Sequence, residues 1–205
     1  MEERPRLTGI STLRKVCRMT KEPPSQPTLW RTCRAIANRS RLEIFGSLVR
    51  QPGQTVSAVA AGLQLSLSAA SEYLRSLEAR GLIKVRRAGR KVEYRPGPTL
   101  RGGPVQSLAA AMRRTCEYHA HPLETIYRLA TAFTHPRRIE IFRVLQPAPK
   151  TLAQIKEETR ISDRALLRHL RKLEARGFVS CHLGFCSVVK RSDAFGRALA
   201  RLAAA

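Results

Sequence analysis

Two stretches of this 205-residue chain repeat one another. Residues 65–81 read LSLSAASEYLRSLEARG and residues 161–177 read ISDRALLRHLRKLEARG, with LEARG identical and 96 positions between the copies. A repeat of so long a period means a duplicated structural unit, and it constrains the fold before any other feature does. Each copy opens on polar residues suited to capping a helix, Ser66-Leu67-Ser68 and Ser162-Asp163-Arg164. Ala70, Leu74 and Leu77 then share one side of a helix, as do Leu166, Leu170 and Leu173. Gly81 and Gly177 stop the two helices, because glycine takes a left-handed conformation cheaply. Each unit therefore buries one stripe and presents the opposite face.

The rest of the chain arranges itself around these copies. Residues 1–27 hold Pro23-Pro24 and Pro27 without sustained periodicity and read as a mobile leader. Residues 28–98 form a first domain. Thr28 can cap a helix with Leu29, Cys33 and Ile36 aligned; a second helix runs from Arg41 to Arg50, a short third from Ser57 to Leu63, and the fourth from Leu65 to Arg80. Two short helices joined by a tight turn have helix-turn-helix spacing. Leu82–Arg87 and Lys91–Arg95 alternate as a half-exposed hairpin around Ala88-Gly89-Arg90. Residues 99–121 are a linker and connecting helix, the helix running from Val105 to about Cys116. Residues 122–205 form the second domain. Pro122 opens a helix to about Thr134, the short helix is Thr151–Thr159, the presented one Ser162–Arg176, the hairpin strands Phe178–Ser180 and Ser187–Lys190, and the last helix Asp193–Leu202. The expected fold is mainly α with small β-hairpins, duplicated in tandem.

Lysine plus arginine number 38 against 15 acidic residues, a formal charge of +23, which favours a polyanionic partner. No apolar run is long enough to span a bilayer and the N-terminus has no signal-peptide core, so a cytoplasmic, nucleoid-associated protein is expected. Five cysteines at irregular spacing do not read as a disulfide framework, and reduced thiols are the simpler expectation.

Residues 35–45, AIANRSRLEIF, resemble the opening of ArsR-type winged-helix transcriptional regulators, and residues 133–142, FTHPRRIEIF, resemble it again. Leu65–Ile83 and Ile161–Val179 are similar to that family's recognition helix and the start of its wing; residues 86–95, RRAGRKVEYR, are similar to the wing hairpin. The likeness covers about 28–95 and about 122–191. It implies winged helix-turn-helix units that act on DNA. Because the family usually works as homodimers packed through terminal helices, two copies in one chain imply an intramolecular pseudo-dimer. The helices at 28–37, 105–116, 122–134 and 193–202 would build its shared core, since each has an apolar stripe and no partner in its own unit.

Helical geometry places Arg164, Arg168 and Arg171 opposite the buried stripe of the second presented helix, where guanidinium groups suit guanine edges or phosphates. The same positions in the first unit are Ser68, Glu72 and Arg75, with Ser71 beside them. Glu72 repels phosphate, so the first unit is expected to rely on its basic wing, with Arg86, Arg87, Arg90 and Lys91 the candidate contacts. The second wing has almost no charge. Division of labour between a wing and a helix predicts an asymmetric binding site. With few aromatic residues for stacking, double-stranded DNA is the expected partner rather than single strands. The alternative is a tandem winged-helix module that binds protein or chromosome without sequence-specific regulation.

Cys116, His119 and His121 lie close in sequence and raise the thought of a metal, but one cysteine and two histidines in a loop are more often incidental. Cys181 and Cys186 face each other across the second hairpin, as a redox pair or, more simply, as packed side chains. No catalytic constellation or cofactor motif stands out, so no enzyme and no cofactor are expected.

Overall fold

The computed structural model describes residues 28–89, 91–97 and 104–205. The leader 1–27, Arg90 and most of the proline- and glycine-rich linker lie outside the described residues. The first repeat contains α1 (Leu29–Ile36), α2 (Arg39–Arg50), α3 (Val56–Gly62), α4 (Leu67–Glu78), β1 (Ile83–Ala88), β2 (Lys91–Pro96) and α5 (Pro104–Tyr118). The second contains α6 (Pro122–Ala130), a 3-10 turn (Thr131–Phe133), α7 (Pro136–Val144), β3 (Lys150–Thr151), α8 (Leu152–Thr159), α9 (Asp163–Glu174), β4 (Val179–His182), β5 (Phe185–Val188) and α10 (Ala194–Ala204). None of the described helices is long and apolar enough to cross a membrane.

Local chemistry explains the boundaries. Asn38 caps α2, its side chain accepting from Arg41 N at 2.9 Å, and His135 caps α7 at the same place in the repeat, accepting from Arg137 N at 3.1 Å. Ser66 accepts from Ala69 N at 3.1 Å. Thr28 and Ser162 occupy the expected capping positions but make no side-chain cap, which corrects the expectation for both. Gly81 and Gly177 sit at φ +68° and +71°. Each allows the paired bonds of a Schellman stop: Gly81 N to Glu78 O (2.8 Å) with Leu82 N to Leu77 O (3.1 Å), and Gly177 N to Glu174 O (2.8 Å) with Phe178 N to Leu173 O (3.0 Å).

The sheets are wings. β1 pairs antiparallel with β2 from Ile83↔Pro96 to Ala88↔Lys91. The second wing differs from expectation. Its strands reach inward to a two-residue loop, Leu183-Gly184, both at positive φ, as a primed turn requires. A third strand, β3, pairs with β5, so the sheet order is β3-β5-β4. The first repeat keeps only a trace of that strand, the bridge Gln54↔Tyr94. Cys181 and Cys186 are register partners and form a disulfide, with Cα atoms 4.0 Å apart. Of the two readings of this pair the structure takes the redox pair, against the expectation of reduced, packed thiols: opposed positions on adjacent strands bring the two sulfurs within bonding distance.

The core runs through both repeats. α1 packs on α6 and on the 3-10 turn, α5 packs on α10, and α2 packs on α5 and α6. Phe133, fully buried in the 3-10 turn, meets Phe142 and Phe178 edge to face at 5.2 and 4.7 Å between ring centroids. Contrary to the expectation that these helices lack partners in their own units, α1 and α5 also pack on α2, and α10 on α7, besides the contacts across the repeats.

Candidate nucleic-acid interface

α9 is held by its apolar side. Leu166, Leu170 and Leu173 are buried, and α9 packs on α7 and β4. Its opposite side leaves Arg164, Arg168 and Arg171 exposed. Asp163 at the start of α9 pairs with Lys156 of α8 at 2.7 Å, joining the two helices of the helix-turn-helix. In α4 the buried residues are Ala70, Leu74 and Leu77. Ser68, Glu72 and Arg75 are exposed, and Ser71 is half-buried. On the first wing Lys84, Arg86, Arg87 and Lys91 are exposed, whereas Arg95 is half-buried against Glu93 at 3.3 Å. The tip of the second wing is apolar, with Leu183 84% and Phe185 52% exposed.

His169 lies between the buried and exposed sides of α9 and reads from the sequence as a packing residue, whereas its partner beside this face does not follow from the sequence. His169 of α9 is buried, and its ring lies 4.8 Å from that of His135, the cap of α7. Burial, then the neighbouring His135 and Arg138, Arg168 and Arg137, depress the His169 pKa to about 4. His135 is depressed in the same direction by burial first, then by Arg138, Arg168 and Arg137. The N-terminus of α7 thus meets the middle of α9, and Arg137 and Arg168 add positive charge at one place. The signal was in the sequence, in His135-Pro136-Arg137-Arg138, but helical periodicity alone does not show which helix these residues approach.

Some of the arginines fasten the fold. Arg138 donates to the Ala132 and Thr131 carbonyls and to Thr134 Oγ1, fastening α7 to the preceding turn. Arg41, at the corresponding place, donates from Nη1 to Ser76 Oγ of α4 at 2.9 Å. Arg191 pairs with Asp193 and donates to the Gly177 carbonyl at 3.3 Å. These guanidinium groups are engaged within the fold rather than presented on the α9 face.

Cys116 is half-buried, and burial raises its thiol to about 11. His119 and His121 are exposed, and among the described residues no three His, Cys, Asp or Glu side chains converge to hold a metal ion.

These are the parts of a winged helix-turn-helix, a DNA-binding class, present twice. Residues 36–86 and 133–182 each match the helix-turn-helix domain family. A transcriptional repressor, the SmtB homolog of a Synechocystis strain, is 43% identical over 60 residues, which is 29% of this chain and 45% of the repressor. The chain thus spans less than half the length of that relative. The homodimeric winged helix-turn-helix DNA-binding domain of a possible ArsR-family transcriptional regulator from Mycobacterium bovis is 32% identical, covering 44% of this chain and 80% of that one, with a TM-score of 0.34. Human N-acetylserotonin methyltransferase, solved in complex with SAM, aligns at 17% identity over 73% of this chain and 39% of its own, with a TM-score of 0.30. Structural likeness at these TM-scores adds nothing to the assignment, which rests on the duplicated family match and on sequence. The chain carries this helix-turn-helix domain twice in tandem, in an ArsR-like winged-helix form.

Proposed function

We propose that the chain regulates transcription by holding duplex DNA with two winged helix-turn-helix units presented by one helical core. The units span 28–98 and 122–205, joined by 99–121, and act as an intramolecular pseudo-dimer. The observation that carries this reading is the pairing of equivalent helices across the repeats, α1 with α6 and α5 with α10. That is how an isologous two-fold interface pairs its elements. Such a core gives the two units a defined relation, as dimeric readers of DNA need. The contacts differ between the units: Arg164, Arg168 and Arg171 from α9, and Arg86, Arg87, Arg90 and Lys91 from the first wing, with Ser68, Ser71 and Arg75 as weaker partners from α4.

The test is duplex affinity measured by fluorescence anisotropy across a salt series, using a site selected from random DNA. Affinity should fall steeply with salt, with a slope of about −0.9 per phosphate neutralised. Reversal of Arg164, Arg168 and Arg171 to glutamate should weaken binding at least about a hundredfold, if each contact carries on the order of 1–3 kcal/mol. Reversal of Arg86, Arg87 and Lys91 should lower affinity for all sequences alike. The selected site should be asymmetric. Unchanged affinity in both triple variants, or a perfect inverted repeat, would refute the reading in its mechanism or in its asymmetry respectively.

A further inference from the structure

A half-open cavity of about 520 Å³ lies where the two repeats meet. α1 and α5 of the first repeat and α7 and α10 of the second contribute its walls. Leu29, Trp30, Leu108, Ile139 and Leu202 make the lining largely apolar. Its size is that of a pocket for a small organic molecule. Thr32 also lines it, and is 1% exposed, yet its Oγ1 has no hydrogen-bond partner. The other buried threonines solve the same problem within their own helices: Thr115 donates to the Ala111 carbonyl at 2.9 Å and Thr159 to the Ile155 carbonyl at 2.7 Å. An unmet buried hydroxyl is costly, so a ligand that accepts from it is favoured.

The charged side chains around the cavity identify the kind of ligand. Glu140 is already neutralised by Arg137 at 2.8 Å. Arg143 donates Nε to the Ala203 carbonyl at 3.0 Å, which fixes its guanidinium at the cavity. We infer that this cleft binds a small apolar carboxylate, its body against Trp30 and Leu108 and its polar end served by Arg143 and the Thr32 hydroxyl. A guanidinium and a hydroxyl are both donors, which selects an anionic acceptor over an amine. The cleft also has a route to the interface, because α7 forms one of its walls and packs directly on α9. A ligand seated between α1 and α7 would bias the position of α9. That regulatory part rests on the function proposed above, whereas binding itself does not.

Trp30 is the chain's single tryptophan, so its fluorescence reports on the cleft without a label. The full chain is titrated with sodium decanoate below its micellar range, with 1-decanol as the uncharged control, and duplex affinity is measured with and without decanoate. Decanoate should shift the Trp30 emission saturably and bind at least about fivefold more tightly than decanol. Thr32→Val, which keeps the shape and removes the hydroxyl, and Leu202→Phe, which fills the cleft, should each weaken decanoate binding at least about fivefold while melting as cooperatively as the parent. Arg143→Gln should erase the preference for decanoate over decanol. Decanoate should change duplex affinity at least about threefold. No saturable response, or equal binding by the parent, Thr32→Val and Leu202→Phe, overturns the site. Binding that leaves duplex affinity unchanged overturns the regulatory role. Decanoate binding in a chain with no duplex affinity under any condition leaves the site standing and removes the DNA reading instead.

Discussion

His169 shows how one buried side chain can tie stability to pH. Its ring is enclosed beside His135, its Nδ1 has no hydrogen-bond partner, and its pKa is depressed to about 4 by burial and by the cationic groups around it. In the unfolded chain a histidine titrates near 6.5, so on falling pH the unfolded state takes up the proton first. The stabilisation is complete above about pH 6.5 and is lost as the pH falls towards 4. The largest loss corresponding to that shift is about 3 kcal/mol. His169→Gln should flatten the pH dependence of urea unfolding between pH 7 and 4.5, with the parent losing stability by more over the same range. Equal slopes would show that His169 does not set the dependence. The corresponding residue in the first repeat is Tyr73, which is half-buried.

At the scale of elements, the two helix-turn-helix units share a feature that their letters conceal. The turn from α3 to α4 passes through Gln64 at φ +54°, and the turn from α8 to α9 passes through Arg160 at φ +52°. Each closes a helix: Leu65 N reaches the Ala60 carbonyl at 2.9 Å, and Arg160 N the Lys156 carbonyl at 2.8 Å. A side chain in the left-handed region costs about 1–2 kcal/mol, which glycine avoids apart from its own entropy. Gln64→Gly should therefore raise stability by about 0.5–1 kcal/mol, read from thermal unfolding, with duplex affinity unchanged. A destabilised variant would mean that the glutamine side chain contributes more than the turn costs. The wings carry the opposite lesson. Alternation identified the first hairpin and the repeat placed the second, but β3 did not follow from either, and the sequence left the facing cysteines open between a redox pair and packed side chains. A two-residue strand has no period to detect, and a cysteine pair becomes a bond only once register sets the residues opposite one another.

At the scale of the whole molecule, one core should melt as one unit. Phe133 belongs to the second repeat, yet the turn that carries it packs on α1 of the first. Phe133→Ala should cost about 3–5 kcal/mol, the usual loss for a buried phenylalanine. Trp30 sits in α1 of the first repeat and lines the cleft between the repeats, so its fluorescence follows that helix and its seat. That signal and far-UV circular dichroism should move together to the lower temperature in a single transition. A Trp30 transition left at the parent temperature would mean that the repeats fold independently, and the pseudo-dimer would lose its basis.

The repeat, the stripe of each recognition helix, the glycine stops and the exposure of Arg164, Arg168 and Arg171 were determined by sequence alone. They depend on periods of 3.6 residues and on backbone preferences, which act over a few neighbours. Tertiary structure decided what depends on distant segments meeting. It set α1 on α6 and α5 on α10, brought His135 to His169, and left Thr32 unpaired in a cleft between the repeats. It also divided the arginines into those that fasten the fold and those left exposed. Local patterns show that a face is apolar or charged, but which other face it meets is set only when the whole chain has packed.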